Sequence, residues 1–231
     1  MLNVFPFKDL GRFKNGWLDT HYHFSFADYH NPDRMGFGAL RVINDDIIKA
    51  DSGFGTHPHR DMEIITYVRK GTIIHRDNLG HEGRTGTGDV QVMSAGRGIA
   101  HAEHSDKAED TTLFQIWIHP RTRGVDPRWD QKAFPKDPVN ENLNLLVSGR
   151  AEDAGKGALM IHQEAALYGG RLLAGTTLTH RLKSAAYVVM SEGTVTVNGI
   201  PMTAGDGAEI SGESEITLHA DSDSEVLVIE V

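Results

Sequence analysis

The repeated element of this chain begins with Y-V-R-K-G-T-I-I-H-R-D-N-L-G, residues 67–80, followed by G-D-V-Q-V-M at 88–93. A second copy reads Y-V-V-M-S-E-G-T-V-T-V-N-G at 187–199, followed by G-D-G-A-E-I at 205–210. In each copy a strand-like run is followed by a glycine turn, a second strand, a further turn and a Gly-Asp pair that opens a third strand. The repeat predicts two related β-barrels.

Strand-like segments also occupy most of the chain outside the repeat. They are short, rich in Val, Ile, Thr and aromatic residues, and separated by Gly, Asn, Asp or Pro. No segment of a dozen residues keeps a 3.6-residue apolar period, so we expect an all-β fold of antiparallel sheets. The predicted strands are 39–43, 62–68, 72–75, 89–93, 111–119, 143–147, 170–173, 187–190, 194–197, 215–219 and 225–231.

A proline-rich stretch at 120–142 separates the two halves. It holds four prolines and alternating charges, which is typical of an irregular connector. Its aromatic residues, Trp129 and Phe134, indicate that it packs against a domain. We therefore expect an N-terminal barrel at 1–125, a connector at 126–142 and a C-terminal barrel at 143–231.

The composition excludes several classes of protein. The chain has no cysteine, which excludes disulfides, thiolate metal sites and a cysteine nucleophile. The 23 basic and 32 acidic residues give a net charge of −9, which disfavours direct binding to nucleic acid but allows a protein partner. No apolar run approaches the roughly 18 residues of a membrane span, and no secretory signal is evident, so we expect a cytoplasmic protein.

Two residue pairs predict a metal site: His57 with His59, and His101 with Glu103. The i, i+2 spacing places both side chains of a pair on one face of a strand. Two neighbouring strands would bring three imidazoles and a carboxylate to one point. That donor set suits Fe(II), Mn, Ni, Cu or Zn and leaves coordination positions open.

The spacing leaves the choice of carboxylate open, because Glu63 has the same parity as the histidines at 57 and 59 and Glu103 has that of His101. A third H-x-H pair, His21 and His23, lies in an aromatic segment without a matching second group of ligands. We interpret that pair as structural.

The second copy of the repeat lacks the ligand types. Aligning Gly71 with Gly193 places Thr179 and Arg181 opposite the histidines at 57 and 59, and Ala185 opposite Glu63. A shift of one residue would bring in His180, but one histidine does not make a site. The first barrel is therefore predicted to be functional and the second structural.

Four long motifs carry a resemblance that spans nearly the whole chain. They are W-L-D-T-H-Y-H-F-S-F-A-D-Y at 17–29, M-G-F-G-A-L-R-V-I-N-D-D at 35–46, G-F-G-T-H-P-H-R-D-M-E-I-I-T-Y-V at 53–68 and M-S-A-G-R-G-I-A-H-A-E-H-S at 93–105. In these motifs the chain resembles the pirin family of the cupin superfamily and is similar to bacterial members reported as quercetinases. The resemblance implies a bicupin, two antiparallel β-barrels face to face, with a metal, usually iron, only in the N-terminal barrel.

The resemblance also implies which residues bind the metal. The family's ligand positions are occupied here by His57, His59, His101 and Glu103. Other cupins use the glutamate that follows H-x-H, which is Glu63 here. We therefore expect Glu63 beside the site, orienting an imidazole. Of the remaining histidines, His104 is expected at the rim or surface, and His75, His81 and His119 are expected to be ordinary polar residues.

The activity implied by the resemblance is a metal-dependent dioxygenase that opens the flavonol ring of quercetin-type substrates with O₂ and releases CO. Fe(II) is the expected metal, with Zn, Mn, Ni and Cu as alternatives. Glu103 is the expected proton acceptor. No G-x-G-x-x-G follows a strand, so no nicotinamide or flavin is expected. The expected walls of an apolar pocket are Met35, Phe37, Phe54 and Phe114.

The resemblance supports an alternative function as well. Eukaryotic pirins are described as nuclear transcription cofactors, which implies an iron-binding regulatory protein whose redox state tunes a protein partner. Quercetin turnover would then be incidental. A third possibility is an enzyme whose turnover of quercetin is promiscuous and whose physiological substrate is another enol or phenol. Because two mutually packed barrels permit it, we expect a monomer.

Overall fold

A computed structural model describes all 231 residues and confirms the all-β prediction. The only helices are two short 3₁₀ turns, Phe7–Asp9 and Ala151–Asp153. Neither helix has the length or the apolar character needed to cross a membrane.

The strands, in chain order, are β1 (Leu2–Phe5), β2 (Gly11–Lys14), β3 (Leu18–Tyr22), β4 (Leu40–Ile48), β5 (Gly53–His59), β6 (Glu63–Lys70), β7 (Thr72–Asp77), β8 (Glu82–Gly86), β9 (Val90–Ser94), β10 (Ile99–Ser105), β11 (Thr111–Ile118), β12 (Arg128–Lys132), β13 (Asn144–Ser148), β14 (Leu159–Met160), β15 (Ala166–Leu172), β16 (Thr177–Arg181), β17 (Ala186–Glu192), β18 (Thr194–Val197), β19 (Ile200–Thr203), β20 (Gly207–Ile210), β21 (Glu215–Ala220) and β22 (Ser224–Glu230).

The chain forms two compact units. We call the unit of residues 11–134 and 159–163 the N-terminal barrel, and the unit of residues 1–10, 135–158 and 164–231 the C-terminal barrel. The N-terminal barrel has a seven-stranded sheet, β12-β9-β6-β11-β4-β3-β2, and a four-stranded sheet, β5-β10-β7-β8. All of the strand pairs assigned in them are antiparallel.

The C-terminal barrel repeats this arrangement. Its larger sheet contains β1-β20-β17-β22-β15-β13, and its smaller sheet is β16-β21-β18-β19. Strands β9-β6-β11-β4-β3 of the first barrel therefore correspond to β20-β17-β22-β15-β13 of the second, and β5-β10-β7-β8 correspond to β16-β21-β18-β19. The internal repeat seen in the sequence is a repeat of the fold.

Glycine is required at the turn that the two copies share. Gly71 has φ +80° and Gly193 has φ +75°, a backbone conformation that is costly for other residues. A Cβ atom would lie 2.8 Å from the backbone oxygen of Asp110 in the first copy and 2.2 Å from that of Asp223 in the second. The same steric constraint thus explains the same glycine in both barrels.

The division at 1–125 differs from the structure at the N-terminus. Strand β1 pairs antiparallel with β20, so the first ten residues belong to the C-terminal barrel. The terminal amine of Met1 also binds the backbone oxygen of Ser211 at 2.5 Å and the Glu213 carboxylate at 2.7 Å. Backbone pairing with a strand 200 residues away cannot be read from local composition.

The predicted connector at 126–142 also differs from the structure. Its first part contains β12, which pairs with β9 over Arg128–Lys132 and so extends the large sheet of the N-terminal barrel. The chain passes to the C-terminal barrel only after Phe134. The prediction that Trp129 and Phe134 pack against a domain is confirmed, since Phe134 is buried and Trp129 stacks on His75.

Candidate metal centre

Strands β5 and β10 bring three of the predicted ligands together. Their antiparallel register places His101 directly opposite His57, and His59 lies two residues further along β5. The ring centroids are 4.8 Å apart for His57 and His59, 4.5 Å for His57 and His101, and 5.0 Å for His59 and His101. One ring nitrogen of each lies within 4.8 Å of the others, which allows all three to bind a single ion.

The hydrogen bonds of His57 and His101 leave the Nε2 atom of each ring available to a metal. His57 Nδ1 lies 2.8 Å from the backbone oxygen of Gly55, so Nδ1–H donates and Nε2 carries the lone pair. His101 is 2% exposed, and its Nε2 is buried without a hydrogen-bond partner. A buried acceptor without a partner, next to two further imidazoles, fits a divalent metal ion.

Burial also sets the charge of the cluster. It lowers the pKa of His59 to about 4, with a further contribution from the neighbouring imidazoles of His101 and His57. Burial likewise lowers the pKa of His101 to about 3, helped by His57 and His75. Both rings are therefore neutral at pH 7, which is the form that binds a metal.

Glu103 lies beside the three imidazoles and is held by amides. Its Oε1 accepts hydrogen bonds from Gln91 Nε2 at 2.6 Å and Thr66 Oγ1 at 3.3 Å, and its Oε2 accepts one from Gln115 Nε2 at 2.9 Å. It lies within 4.8 Å of ring nitrogens of His101 and His75, rather than in the group of His57, His59 and His101.

The residues that hold Glu103 were not identified from the sequence. Thr66, Gln91 and Gln115 each stand in the middle of an apolar strand, in I-I-T-Y-V, V-Q-V-M and L-F-Q-I-W. All three are buried. A polar residue at the centre of an apolar strand is a signal that could have found them, because buried polar groups need partners.

Glu63 does not have the role expected of it. Its Oε2 accepts a hydrogen bond from Ser94 Oγ at 2.7 Å, and it makes no hydrogen bond to the three imidazoles. Burial raises the pKa of this fully buried carboxyl group. The chain turns between β5 and β6, so the alternation of β5 does not continue to Glu63, which faces away from Thr66 on β6.

A cavity of about 210 Å³ opens over the imidazoles. Its apolar walls are formed by Leu18, Phe26, Phe54 and Trp117. The Trp117 ring meets the ring of His59 edge to face, with centroids 4.9 Å apart, and that of Phe26 at 5.3 Å. Aromatic walls therefore lie directly beside the three imidazoles.

Only one of the four predicted wall residues lines this cavity, namely Phe54. Met35 is 44% exposed, and Phe37 forms an isolated bridge with Leu40. Phe114 is fully buried, with the Arg69 guanidinium 4.4 Å above its ring. The inward face of β11 carries Gln115 and Trp117, and alternation turns Phe114 to the opposite side.

One wall of the cavity is polar. It carries Thr20, Asn44 and Asp46. Asn44 Oδ1 is buried without a hydrogen-bond partner. Burial raises the pKa of Asp46 to about 7, with the charges of Asp45 and Glu103 adding to the effect. The N-D-D run at 44–46, inside the otherwise apolar strand β4, is a sequence signal that could have indicated this polar wall.

The other histidines divide between surface and interior. His104 and His119 are exposed, and neither His21 nor His23 joins the imidazole cluster. His75 was expected to be an ordinary polar residue. It is fully buried, and its Nδ1 lies 3.4 Å from Nδ1 of His101. That His75 is buried next to His101 could be learned only from the pairing of β7 with β10.

The C-terminal barrel has different residues at the positions that correspond to the predicted metal ligands. His101 pairs with His57, and the corresponding pair in the second barrel is Ile216 with His180. The equivalent of His57 is thus His180 rather than Thr179, so the shift of one residue was needed. Glu103 pairs with His75 on β7, and Leu218 pairs with Val197 on β18, so the carboxylate position is occupied by Leu218.

Comparisons with known proteins agree with this architecture. Residues 6–118 match the family model described as Pirin, and residues 145–231 match that of the quercetinase C-terminal cupin domain. The chain is 48% identical to a pirin-like protein of Caulobacter vibrioides, over 100% of this chain and 99% of the relative. It is 44% identical to the quercetin 2,3-dioxygenase of Escherichia coli K12, over 96% and 94%.

Solved structures are similar over the whole chain. The structure of YhhW from Escherichia coli superimposes with a TM-score of 0.93 at 43% identity, covering 100% of this chain and 97% of that one. A structure of the bacterial pirin YhhW in complex with nickel(II) gives 0.92 at 42% identity, covering 100% and 99%. With matched domains in both halves and identities near one half over the full length, the chain belongs to the pirin family of cupin proteins.

Proposed function

We propose that the chain is a metal-dependent dioxygenase that cleaves the flavonol ring of quercetin-type substrates with O₂ and releases CO. The observation that carries the proposal is the aromatic-walled cavity that opens onto three converging imidazoles. The names of the relatives as quercetin 2,3-dioxygenase support the same reaction.

His57, His59, His101 and Glu103 would hold the metal, and we propose Fe(II) as the ion used in catalysis. A divalent ion bound there supplies Lewis acidity, which lowers the pKa of a bound hydroxyl group. The nickel complex of the related bacterial pirin supports a divalent metal in this fold. The donor set of three imidazoles and one carboxylate proposed here suits several first-row ions.

The cavity walls fit a flat polyphenol. Phe26, Phe54 and Trp117 can pack against aromatic rings of the substrate, which fixes the plane of the ring to be cleaved. The unpartnered Oδ1 of Asn44 can accept a hydrogen bond from a phenolic hydroxyl group. A wholly apolar ligand would leave this oxygen unsatisfied.

Glu103 is the proposed acceptor of the proton from the substrate's 3-hydroxyl group. Gln91 on β9 and Gln115 on β11 hold its two oxygens from the two strands that flank β6, so the carboxylate is oriented before the substrate binds. The flavonolate then reacts with one O₂. One atom of O₂ bonds to C2 and the other to C4, while the O–O, C2–C3 and C3–C4 bonds break. C3 leaves as CO with the oxygen of the 3-hydroxyl group, so both atoms of O₂ remain in the ester product.

The test is to load the purified protein with Fe(II), add quercetin under air, and measure the loss of quercetin absorbance together with CO in the headspace. We expect one CO for each quercetin consumed, and neither signal from His57→Ala. His104→Ala is the matched control, because this histidine is exposed and lies on β10 itself.

Quercetin that stays intact in the presence of the metal-loaded wild-type protein would contradict the proposal. An active His57→Ala variant would contradict the assignment of the site. Metal binding without turnover would instead favour the regulatory alternative. That alternative predicts a set of captured proteins that differs between the oxidised and the reduced iron protein.

A further inference from the structure

A line of hydrogen-bonded side chains leads from His101 to the protein surface. His101 Nδ1 lies 3.4 Å from His75 Nδ1, and His75 Nε2 lies 3.0 Å from Asp77 Oδ2. The same Asp77 oxygen lies 2.8 Å from His81 Nδ1. The side chains of His75 and Asp77 are fully buried, whereas that of His81 is 39% exposed. The reaction proposed above uses none of these three residues.

Asp77 fixes the direction of the hydrogen bonds from the two imidazoles that contact it. Its Oδ1 accepts the backbone N–H groups of Leu79 and His81 at 2.9 and 3.0 Å. Although burial opposes ionisation, the hydrogen bonds from His75 and His81 hold the pKa of Asp77 below its ordinary value. The carboxylate only accepts, so His75 Nε2–H and His81 Nδ1–H both donate to Oδ2.

The tautomer of His101 follows from that of His75. A neutral His75 with its hydrogen on Nε2 has its lone pair on Nδ1, which can only accept. His101 must then donate through Nδ1–H, and its own lone pair is on Nε2. That atom is the buried nitrogen without a partner that faces the cluster.

Packing holds the line in place. The His75 ring stacks on Trp129 with centroids 4.8 Å apart and planes 11° from parallel. A Cβ atom at Gly83 would lie 2.0 Å from the Trp129 ring, so glycine there makes room for the stack. The register of β10 with β7 places His101 opposite Asp77 and Glu103 opposite His75. The register thus places His75 on the strand beside His101, and the stack on Trp129 holds its ring.

We propose that His75 and Asp77 are positioning residues that hold His101 in the tautomer and orientation in which its Nε2 binds a divalent metal. This inference rests on the metal site of the proposed function, but it does not depend on flavonol chemistry. Partners that orient a ligating histidine generally raise metal affinity, because the ring needs no reorganisation when the ion binds.

The first test is Asp77→Asn, measured as the Kd for Ni²⁺ by calorimetry and as the absorption spectrum of the Co²⁺-loaded protein. The amide oxygen keeps the two backbone N–H bonds of the turn, so the NH₂ group faces His75 Nε2. This arrangement reverses the tautomer of His75 and sets its Nδ1–H against that of His101. We expect the Kd to rise about 10–100-fold, with an altered Co²⁺ spectrum. Asp33→Asn, the same change at an exposed residue, is the matched control and should alter neither.

The second test separates hydrogen bonding from packing at residue 75. His75→Asn can place an oxygen near the position of Nδ1 and accept from His101, whereas His75→Leu fills space without an acceptor. We expect His75→Asn to retain a Co²⁺ spectrum close to that of the wild type and His75→Leu to lose it.

Equal Ni²⁺ affinity and equal Co²⁺ spectra for Asp77→Asn and wild type would overturn the proposal, as would equal behaviour of the two His75 variants. A wild-type protein that binds neither ion would overturn both this inference and the metal site. If the variants behave as expected but the iron-loaded wild type leaves quercetin intact, only the proposed dioxygenase function fails.

Discussion

The two barrels place different chemistry at corresponding positions of one strand arrangement. In the N-terminal barrel, His57 and His101 face each other across β5 and β10 and leave a buried nitrogen without a partner. In the C-terminal barrel, the equivalent of His57 is His180, and its Nε2 lies 3.1 Å from Glu230 Oε1. The other oxygen of Glu230 accepts from Arg150 Nη2 at 2.8 Å.

This difference shows how the second barrel satisfies its buried His180 without an ion. The carboxylate of Glu230 satisfies His180, and Arg150 neutralises the carboxylate, with both charged side chains at most 4% exposed. Ile216 and Leu218 stand where the first barrel has His101 and Glu103, and both are fully buried in the apolar core. At these positions the second barrel has an internal ion pair and apolar side chains, whereas the first has imidazoles, one of them with an unpartnered buried nitrogen.

The largest effect is expected from breaking the ion pair of the C-terminal barrel with Glu230→Ala. Arg150 would remain buried with an uncompensated charge, so the free energy of unfolding should fall by about 3–5 kcal/mol. Denaturant unfolding measures the change. Glu213→Ala, which removes an exposed carboxylate paired with the terminal amine, should cost at most about 1 kcal/mol. Equal losses for the two variants would show that Glu230 is not an internal anchor.

The next effect is expected from His101→Ile, which gives the first barrel the residue found at position 216 of the second. One ligand is lost and an isoleucine packs in its place. The Ni²⁺ affinity should therefore fall by about 100-fold or more, beyond the cost of losing an orienting partner. Calorimetry with Ni²⁺ measures this, with His104→Ile as the control on the exposed face of the same strand. Undiminished affinity would place the metal elsewhere.

A smaller effect is expected from Gln115→Val, because the pairing of β11 with β6 and of β22 with β17 places Val228 at the equivalent position. The variant removes the amide that donates to Glu103 Oε2, so the carboxylate is oriented from one side only. Metal affinity should fall about tenfold. Calorimetry with Ni²⁺ measures the change, and thermal unfolding of the metal-free variant checks the fold. An increase in affinity would mean that the amide competes with the metal for Glu103.

The smallest effect concerns pH. Burial opposes ionisation of Glu230, but the hydrogen bonds from His180 and Arg150 hold its pKa below the ordinary value of 4.5. A lowered pKa in the folded state adds stability above pH 4.5, and this stability is lost as pH falls through the folded value. The difference in free energy of unfolding between wild type and Glu230→Gln should be constant from pH 7 to 5 and narrow below pH 4.5. Denaturant unfolding at each pH tests this, and a difference that widens in acid would contradict it.

The sequence was sufficient for the features that depend on local pattern. The repeated strand and turn signals predicted two β-barrels, because side-chain alternation and glycine turns are properties of neighbouring residues. The H-P-H and H-A-E spacings predicted the histidines that meet at the cavity, because both pairs lie within single strands. Glu63 failed as a partner for the opposite reason, since a turn interrupts the strand before it.

Local pattern could not supply the residues that come from other strands. Phe54 was the only correct wall residue among four aromatic and methionine candidates, since apolar residues of core and cavity look alike in sequence. Thr66, Gln91 and Gln115 converge on Glu103 from three strands that are apart in sequence. The pairing of β1 with β20 is a contact of the same kind.

The sequence by itself thus determined the fold class, the repeat and the three histidines of the imidazole cluster. Only the tertiary structure decided which groups surround Glu103, that Asp77 reaches His101 through His75, and that Glu230 and Arg150 enclose His180. The physical reason is that strand identity follows from the chain's own alternation. The environment of a buried polar group depends instead on which distant strands pair, and in which register.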